Sequence, residues 1–398
     1  MLGVLRAAAW VSAVAWIGLV AARGRFWDAS ADGLRAAEPD APAPEVHAVV
    51  PARNEADVIA RTLDSLLAQD YAGRFSITLV DDRSGDGTAL AARAAIERAA
   101  AFGRVRVVAG RPRPDGWTGK VWALAEGVAA ARTGGAQPVY WWFTDADVEH
   151  DRDVLARLVA TAVAERRALV SQMVALHCAS GWEQTLIPAF VFFFRMLYPF
   201  AWVNDDRRST AAAAGGCVLV TDAALRGIGG VERIAGELID DCALASAVKR
   251  DGGGLWLGLA TRSRSVRPYR SLETIWAMVA RTAYTQLRRS PPLLAGTVAG
   301  MLLLYAVPVA AAFAGTRRGR LDLALPGLAA WSLMAAAYGP TLQLYGVHRR
   351  RAFGLPFAAL LYTAMTVDSA RRHAAGAGGR WKGRAFTPPA GRSSAPPG

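Results

Sequence analysis

From Val46 to Phe143 the chain alternates short apolar runs with stretches of helical periodicity, and this alternation leaves few folds open. Val46–Val50, Ser76–Val80, Val105–Val108 and Val139–Phe143 read as strands. Between them, Glu55–Gln69 places Ile59, Leu63, Leu66 and Leu67 on one helical face, and Thr88–Ala101 and Val121–Ala131 also read as helices. Repeated β-α units of this spacing predict an α/β domain with a mainly parallel sheet covered by helices. Ligands of such sheets bind beyond the carboxyl ends of the strands. The loops at those ends hold Pro51-Ala52-Arg53-Asn54-Glu55, Asp81 to Thr88, and Thr144-Asp145-Ala146-Asp147.

The net charge of +13 suggests nucleic acid at first sight, but its distribution argues against it. Residues 1–25 carry three arginines and no acid, and residues 291–398 carry 12 basic residues against Asp322 and Asp368. The intervening 26–290 hold 31 of each sign. The excess therefore lies beside apolar segments, the pattern of basic residues meeting anionic lipid head groups. A membrane partner is expected and a nucleic-acid partner is not.

Residues 7–22 form an uncharged run closed by Arg23 and Arg25, read as an uncleaved N-terminal anchor over 1–25 rather than a signal peptide. Pro291–Phe313 and Leu321–Gly346 are long enough to cross about 30 Å of hydrocarbon. Phe353–Val367 is shorter and either spans or dips. Residues 182–203, broken by Pro188, Arg195 and Pro199, read as an interfacial helix, as does the amphipathic 273–289. The resulting division is an anchor (1–25), a linker (26–43), an α/β domain with the two interfacial helices (44–290), a transmembrane region (291–368) and a basic disordered tail (369–398). Cys178, Cys217 and Cys242 lack the spacing of a disulfide framework or a zinc site. His150 and His177 read as structural or surface residues.

Asp145 and Asp147, one residue apart at a strand tip, make a compact oxygen site for a hard cation such as Mg²⁺ or Mn²⁺. A solvated turn capping the next helix would use the same residues. Lys120, after Gly119 at a helix start, is suited to phosphate, through free N–H groups and a fixed charge; a surface lysine is the plain alternative.

Taken in order, V-V-P-A-R-N-E-A (49–56), V-D-D-R-S-G-D-G-T (80–88), T-G-K-V-W-A-L-A-E-G (118–127) and T-D-A-D-V (144–148) resemble the signatures of family 2 glycosyltransferases, inverting enzymes of the GT-A fold. E-L-I-D-D-C-A-L (237–244) resembles that family's acidic E-D motif, and Q-L-R-R-S (286–290) its Q-x-x-R-W motif. The anchor layout and the run R-T-A-Y-T-Q-L-R-R-S-P (281–291) look most like the hopene-associated membrane glycosyltransferases.

The resemblance implies roles position by position. Pro51, Arg53 and Glu55 would hold base and ribose, and Asp82, beside Asp81, would accept from uracil N3–H. Asp145 would hold ribose or metal, and Asp147 the Mg²⁺ or Mn²⁺ directly. Asp241 would be the base that removes the acceptor proton, with Asp240 in place of the family's glutamate; the two roles are open to exchange. An N-cap for the following helix is the structural alternative for either acid. Gln286 and Arg289 would bind the donor, Arg289 through its pyrophosphate, although Ser290 replaces the motif's tryptophan; an interfacial basic helix end binding lipid phosphate is the structural alternative.

The expected activity is transfer of a sugar from a nucleotide-diphosphate donor, UDP-linked by the uracil contact, to a lipid acceptor that is hopanoid-related by the narrower resemblance. The enzyme is expected to be multi-pass in the cell membrane with a cytoplasmic catalytic domain. A processive polysaccharide synthase and a catalytically silent membrane scaffold are the alternatives.

Overall fold

A computed structural model describes residues 2–30, 33–38, 43–376 and 378. The chain falls into two compact units. The α/β unit comprises Ala31–Leu176 and Val203–Arg267, and the helical unit comprises Met1–Ser30, His177–Trp202 and Pro268–Gly378. Parts of the expected linker (31, 32 and 39–42) and tail (377 and 379–398) lie outside the described residues.

The α/β unit is built on one sheet of eight strands among the described residues. They are β1 (Val46–Ala52), β2 (Phe75–Asp81), β3 (Val105–Ala109), β4 (Tyr140–Thr144), β5 (Val148–His150), β6 (Leu169–Ala175), β7 (Cys217–Thr221) and β8 (Leu255–Ser265). Their order is β3-β2-β1-β4-β7-β6-β8-β5. The half formed by the first four is parallel throughout, as the β-α alternation predicts. β7 is antiparallel to both β4 and β6, β6 pairs parallel with β8, and β5 closes the edge antiparallel to β8. The sheet is therefore mixed with a mainly parallel character, as expected for the GT-A class.

β1 is buried at every position. Ile59, Leu63 and Leu66 of helix Ile59–Leu67 pack with Val46, Ala48, Val50, Ile77, Leu79 and Trp142 in one core. Each such fully buried aliphatic side chain contributes roughly 1.5–3 kcal/mol. On helix Gly119–Thr133, Gly127 lets the helix press against the sheet: a Cβ there would lie 2.3 Å from Val49 Cγ1 and 3.1 Å from Val80 Cγ2.

The expected helix over Glu55–Gln69 begins only at Ile59. Hydrogen bonds tie the preceding loop to its neighbour instead, with Glu55 N donating to Thr88 Oγ1 (2.8 Å) and Ala56 N to Asp86 Oδ2 (3.0 Å). The first turn is thereby traded for a fixed loop beyond β1.

The helical unit contains four helices long and apolar enough to cross a membrane among the described residues: Leu2–Ala22, Gly181–Val203, Pro291–Arg317 and Leu321–Leu344. The second of these covers the segment read as interfacial, and its helical run is interrupted between Leu197 and Phe200, around Pro199. Phe353–Val367 lies largely within helix Leu355–Ala374, which continues past Arg371. Amphipathic 273–289 is split into Leu272–Ala280 and Ala283–Gln286.

Edge-to-face aromatic pairs fill this unit: Trp16 on Tyr305 (5.5 Å), Phe193 on Tyr362 (5.3 Å) and Phe192 on Tyr338 (5.2 Å). Val4, Trp10, Val14 and Ile17 of the first helix stay exposed, and so do Leu321, Leu325 and Leu328 of the fourth. Apolar side chains left outside a packed helical core suit a lipid surround.

Candidate active site

The loops beyond β1 and β2 are stitched together by their own polar groups. Arg53 Nη1 donates to the carbonyls of Asp82 and Arg83, and lies 3.9 Å from Asp82 Oδ2. Asp82 is fully buried, and its backbone N–H reaches Ala52 O at 2.8 Å. Asp81 Oδ1 accepts from Ser84 N (3.1 Å), Asn54 N donates to Ser84 Oγ (2.9 Å), and Gly85 N donates back to Asn54 Oδ1 (3.1 Å). Asn54 and Arg83 both take left-handed backbone (φ 52° and 55°), a conformation Asn tolerates better than most residues. Pro51 lies inside β1, paired with Val80.

Thr118 starts the next element. Its Oγ1 caps helix Gly119–Thr133 by accepting from Val121 N, and its own N–H is held by Ala235 O at 2.8 Å. The helix start places Lys120 among acids. Lys120 Nζ lies 2.8 Å from Asp145 Oδ1 and 3.5 Å from Asp240 Oδ2. Asp240 and Asp241 open helix Asp240–Arg250, where helix N-termini favour negative charge. Asp241 Oδ2 accepts from Gly215 N (2.7 Å) and Oδ1 from Cys242 N (2.8 Å).

Gly215 is needed bare. A Cβ there would sit 2.7 Å from Lys120 Nζ and 3.3 Å from Asp241 Oδ2. Pro51, Lys120, Asp145, Gly215, Asp240 and Asp241 line one narrow cavity of about 10 Å³, enough for one water.

Electrostatics follow from this crowding. Burial, and then the neighbouring Asp240 charge, pushes the Asp241 carboxyl above the usual range, opposed by Lys120 and by the two backbone N–H groups. Burial works against the Lys120 charge, but Asp145, Asp240 and Asp241 outweigh it and raise its pKa. A raised acid beside a fixed cation is the environment expected of a base held ready to take a proton.

The other acid of the D-x-D is held separately. Asp147 Oδ2 lies 3.0 Å from Arg267 Nε, and Arg267 Nη2 also contacts Glu55 Oε2. The backbone is fixed from two sides: Ala146 O accepts from Thr62 Oγ1 (2.8 Å) and Asp147 O from Val266 N (2.8 Å). Behind it, His150 is buried, with Nε2 2.9 Å from Thr144 Oγ1 and Nδ1 2.8 Å from Ser263 Oγ.

Gln286 and Arg289 belong to the helical unit. Gln286 Nε2 donates to Tyr198 Oη at 2.6 Å, and Arg289 has left-handed backbone (φ 55°) with its N–H on Tyr284 O. The structure thus groups Pro51, Lys120, Asp145, Asp240 and Asp241, joins Arg53 to Asp82 beside Asp81, and joins Glu55 to Asp147 through Arg267.

Arg267 and Gly215 are absent from the sequence reading. Arg267 lies two residues beyond β8, so the rule that ligands gather past strand ends would have found it had Leu255–Ser265 been read as a strand. Gly215 carries no comparable signal.

No cluster of three or more His, Cys, Asp or Glu able to hold a metal occurs among the described residues. The donor set does not fit a closed, all-protein metal centre. Asp145 and Asp147, paired here with Lys120 and Arg267, are the carboxylates that would hold an Mg²⁺ or Mn²⁺ ion taking its remaining ligands from substrate phosphates and water.

Residues 47–228 match the family model described as Glycosyl transferase family 2. No curated protein matches the chain. Among solved structures, the mannosyltransferase of Pyrobaculum calidifontis in complex with GDP-Man and Mn²⁺ is similar over 93% of this chain and 99% of that one, at 21% identity and a TM-score of 0.54. Glucosyl-3-phosphoglycerate synthase of M. tuberculosis covers 62% of this chain and 80% of its own, at 19% identity and a TM-score of 0.39. S. aureus TarS (1–349) covers 83% and 92%, at 14% and 0.37. The Pyrobaculum likeness shows the fold, and the family match covers the strands and loops that carry Arg53, Asp82, Lys120 and the D-x-D. The chain is an enzyme, a glycosyltransferase with a Glycosyl transferase family 2 domain over residues 47–228.

Proposed function

We propose that the enzyme transfers a sugar, with inversion, from a nucleotide-diphosphate donor to a lipid, and that Asp241 is its base. The observation that carries this reading is the cluster in which Lys120 bridges Asp145 and Asp240 while Asp241 is held by the Gly215 N–H. An inverting displacement needs a carboxylate on the sugar face opposite the leaving group and positive charge near the diphosphate. Asp241 supplies the first and Lys120 the second. Asp240 orients the acceptor.

Asp145 and Asp147 would hold Mg²⁺ or Mn²⁺, which when bound offsets charge on the leaving diphosphate. Arg53, Asp81 and Asp82 are assigned to the base, with uridine favoured through Asp82, and Pro51 and Glu55 to base and ribose. Gln286 and Arg289 are assigned to pyrophosphate. The Mn²⁺ named for the Pyrobaculum mannosyltransferase supports a divalent ion, and its GDP-Man makes guanosine the competing nucleotide to test.

The lipid acceptor, hopanoid-related by the narrower resemblance, is supported by the four apolar helices and the basic flanks. The same features support a multi-pass protein of the cell membrane, with the nucleotide-dependent domain on the cytoplasmic side where such donors are made.

Asp241→Asn and Asp147→Ala are expected to abolish transfer in folded protein, and full activity of purified Asp241→Asn would sink the assignment of the base. Mass spectrometry of lipids from cells with and without the gene identifies sugar and acceptor together; an unchanged lipid profile with an altered polysaccharide would favour a synthase.

A further inference from the structure

Asp147, proposed to hold a divalent ion, already has a cation beside it. Arg267 Nε lies 3.0 Å from its Oδ2, and Nη2 of the same guanidinium contacts Glu55. Glu55 is buried, with 8% of its side chain exposed, and the Asp147 side chain is 17% exposed, so one planar cation neutralises two carboxylates in a place with little water. The fork geometry of arginine suits such bridging.

The bridge is anchored from both ends. Val266 N, one residue before Arg267, donates to Asp147 O (2.8 Å), and Ser265 Oγ lies 3.5 Å from Asp147 Oδ2. Glu55 N is held by Thr88 Oγ1. Arg267 therefore stays beside Asp147 through the chain's own geometry.

A divalent ion approaching Asp147 meets this positive charge, and its affinity falls accordingly. A diphosphate changes the balance, because it brings negative charge and offers the guanidinium other oxygens to bridge. We infer that Arg267 is an internal competitor for the metal: a positioning residue that keeps the ion weakly held on the free enzyme and couples its binding to arrival of a nucleoside diphosphate. This rests on the assignment of Asp147 as a metal ligand.

The test is a Mn²⁺ titration followed by electron paramagnetic resonance, on the full chain in detergent, with and without UDP and with a Mn–UDP blank subtracted. Wild type is expected to bind Mn²⁺ weakly alone and more tightly with UDP. Arg267→Gln is expected to bind Mn²⁺ alone at least about tenfold more tightly, with a smaller further gain from UDP. Arg267→Lys, which keeps the charge but cannot bridge both acids, should fall between.

Unchanged or weaker Mn²⁺ binding in Arg267→Gln overturns the inference. If that variant does not fold, Arg267→Lys decides alone, and affinity equal to wild type overturns it. Asp147→Asn separates the two layers. If it loses UDP-dependent Mn²⁺ binding while Arg267→Gln behaves as wild type, the metal assignment stands and the competitor role falls. If Asp147→Asn binds as wild type, both fall.

Discussion

Lys120 Nζ lies 2.8 Å from Asp145 Oδ1 and 3.5 Å from Asp240 Oδ2, so one ammonium group joins the acid at the tip of β4 to the acid that opens helix Asp240–Arg250. These positions are 95 residues apart in sequence and meet only through the fold. The lysine is the electrostatic centre of the cluster, and its removal leaves partly buried carboxylates facing one another.

Lys120→Met is therefore expected to fail in two ways. Losing one partner of a buried charge network costs on the order of 3 kcal/mol, which should appear as a lower midpoint in thermal unfolding. Transfer should fall further than the stability loss explains, measured as initial rate on the folded fraction. A variant with wild-type turnover would show that the lysine is only a structural cation.

Gly215→Ala adds a carbon 2.7 Å from Lys120 Nζ and 3.3 Å from Asp241 Oδ2. The lysine tip moves more readily than backbone, so folding should survive. The geometry of base and cation should not, and displacements near 1 Å at reacting groups cost about 100-fold in rate. The expected result is a kcat reduced about tenfold to 100-fold with donor affinity less affected.

Gly127→Ala tests the sheet rather than the chemistry. Its new Cβ would stand 2.3 Å from Val49 Cγ1, inside a packed interface with no flexible neighbour to yield. Overpacking of this kind costs about 1–3 kcal/mol. Thermal unfolding should show the loss, and an unchanged midpoint would mean that the helix shifts freely on β1.

Stability should fall as the medium is made acidic below about pH 6.5. Burial lowers the pKa of His47 to about 4 and of His150 to about 3, and each ring is fixed between two hydroxyl groups. The unfolded chain protonates both near pH 6.5, while the folded chain does not until far lower. Their contribution is thus complete above that pH and declines on acidification, by up to about 1.4 kcal/mol per pH unit for each histidine. Asp241, with its raised pKa, acts in the opposite sense, since its stabilising share is present at low pH and lost as pH rises. Two histidines outweigh one carboxyl, so unfolding midpoints should drop from pH 7.5 to pH 5, and His47→Gln should flatten the slope.

Much of the α/β unit was legible because its first half obeys local rules. Apolar runs and one-sided helices between Val46 and Phe143 are repeated often enough to predict parallel β1 to β4, and the acidic loops fell beyond their ends. The second half hid itself. β7 is antiparallel and follows a long irregular stretch, and β8 mixes its apolar residues with Arg262 and Arg264, which pair with acids near β5. Missing β8 meant missing Arg267.

His150 reads from sequence only as a structural or surface residue, because its partners, Thr144 and Ser263, lie on different strands and only pairing brings them to the ring. The helix expected over Glu273–Arg289 splits at Arg281 and Thr282, where Thr282 takes φ −125°, and ends before Arg288 and Arg289, whose backbone is left-handed; periodicity reports neither. Asp240 and Asp241 are adjacent in the chain, and nothing in sequence order distinguishes the one held by Gly215 from the one facing Lys120.

The carbonyls of Ala146 and Asp147 are tied to Thr62 on one side and Val266 on the other. The D-x-D turn therefore has almost no conformational freedom left to lose. The entropy of ordering this loop's backbone is settled when the protein folds, so an arriving ligand has less of it to order. A turn of the same sequence on an untethered loop would hold the same charges and bind far less well.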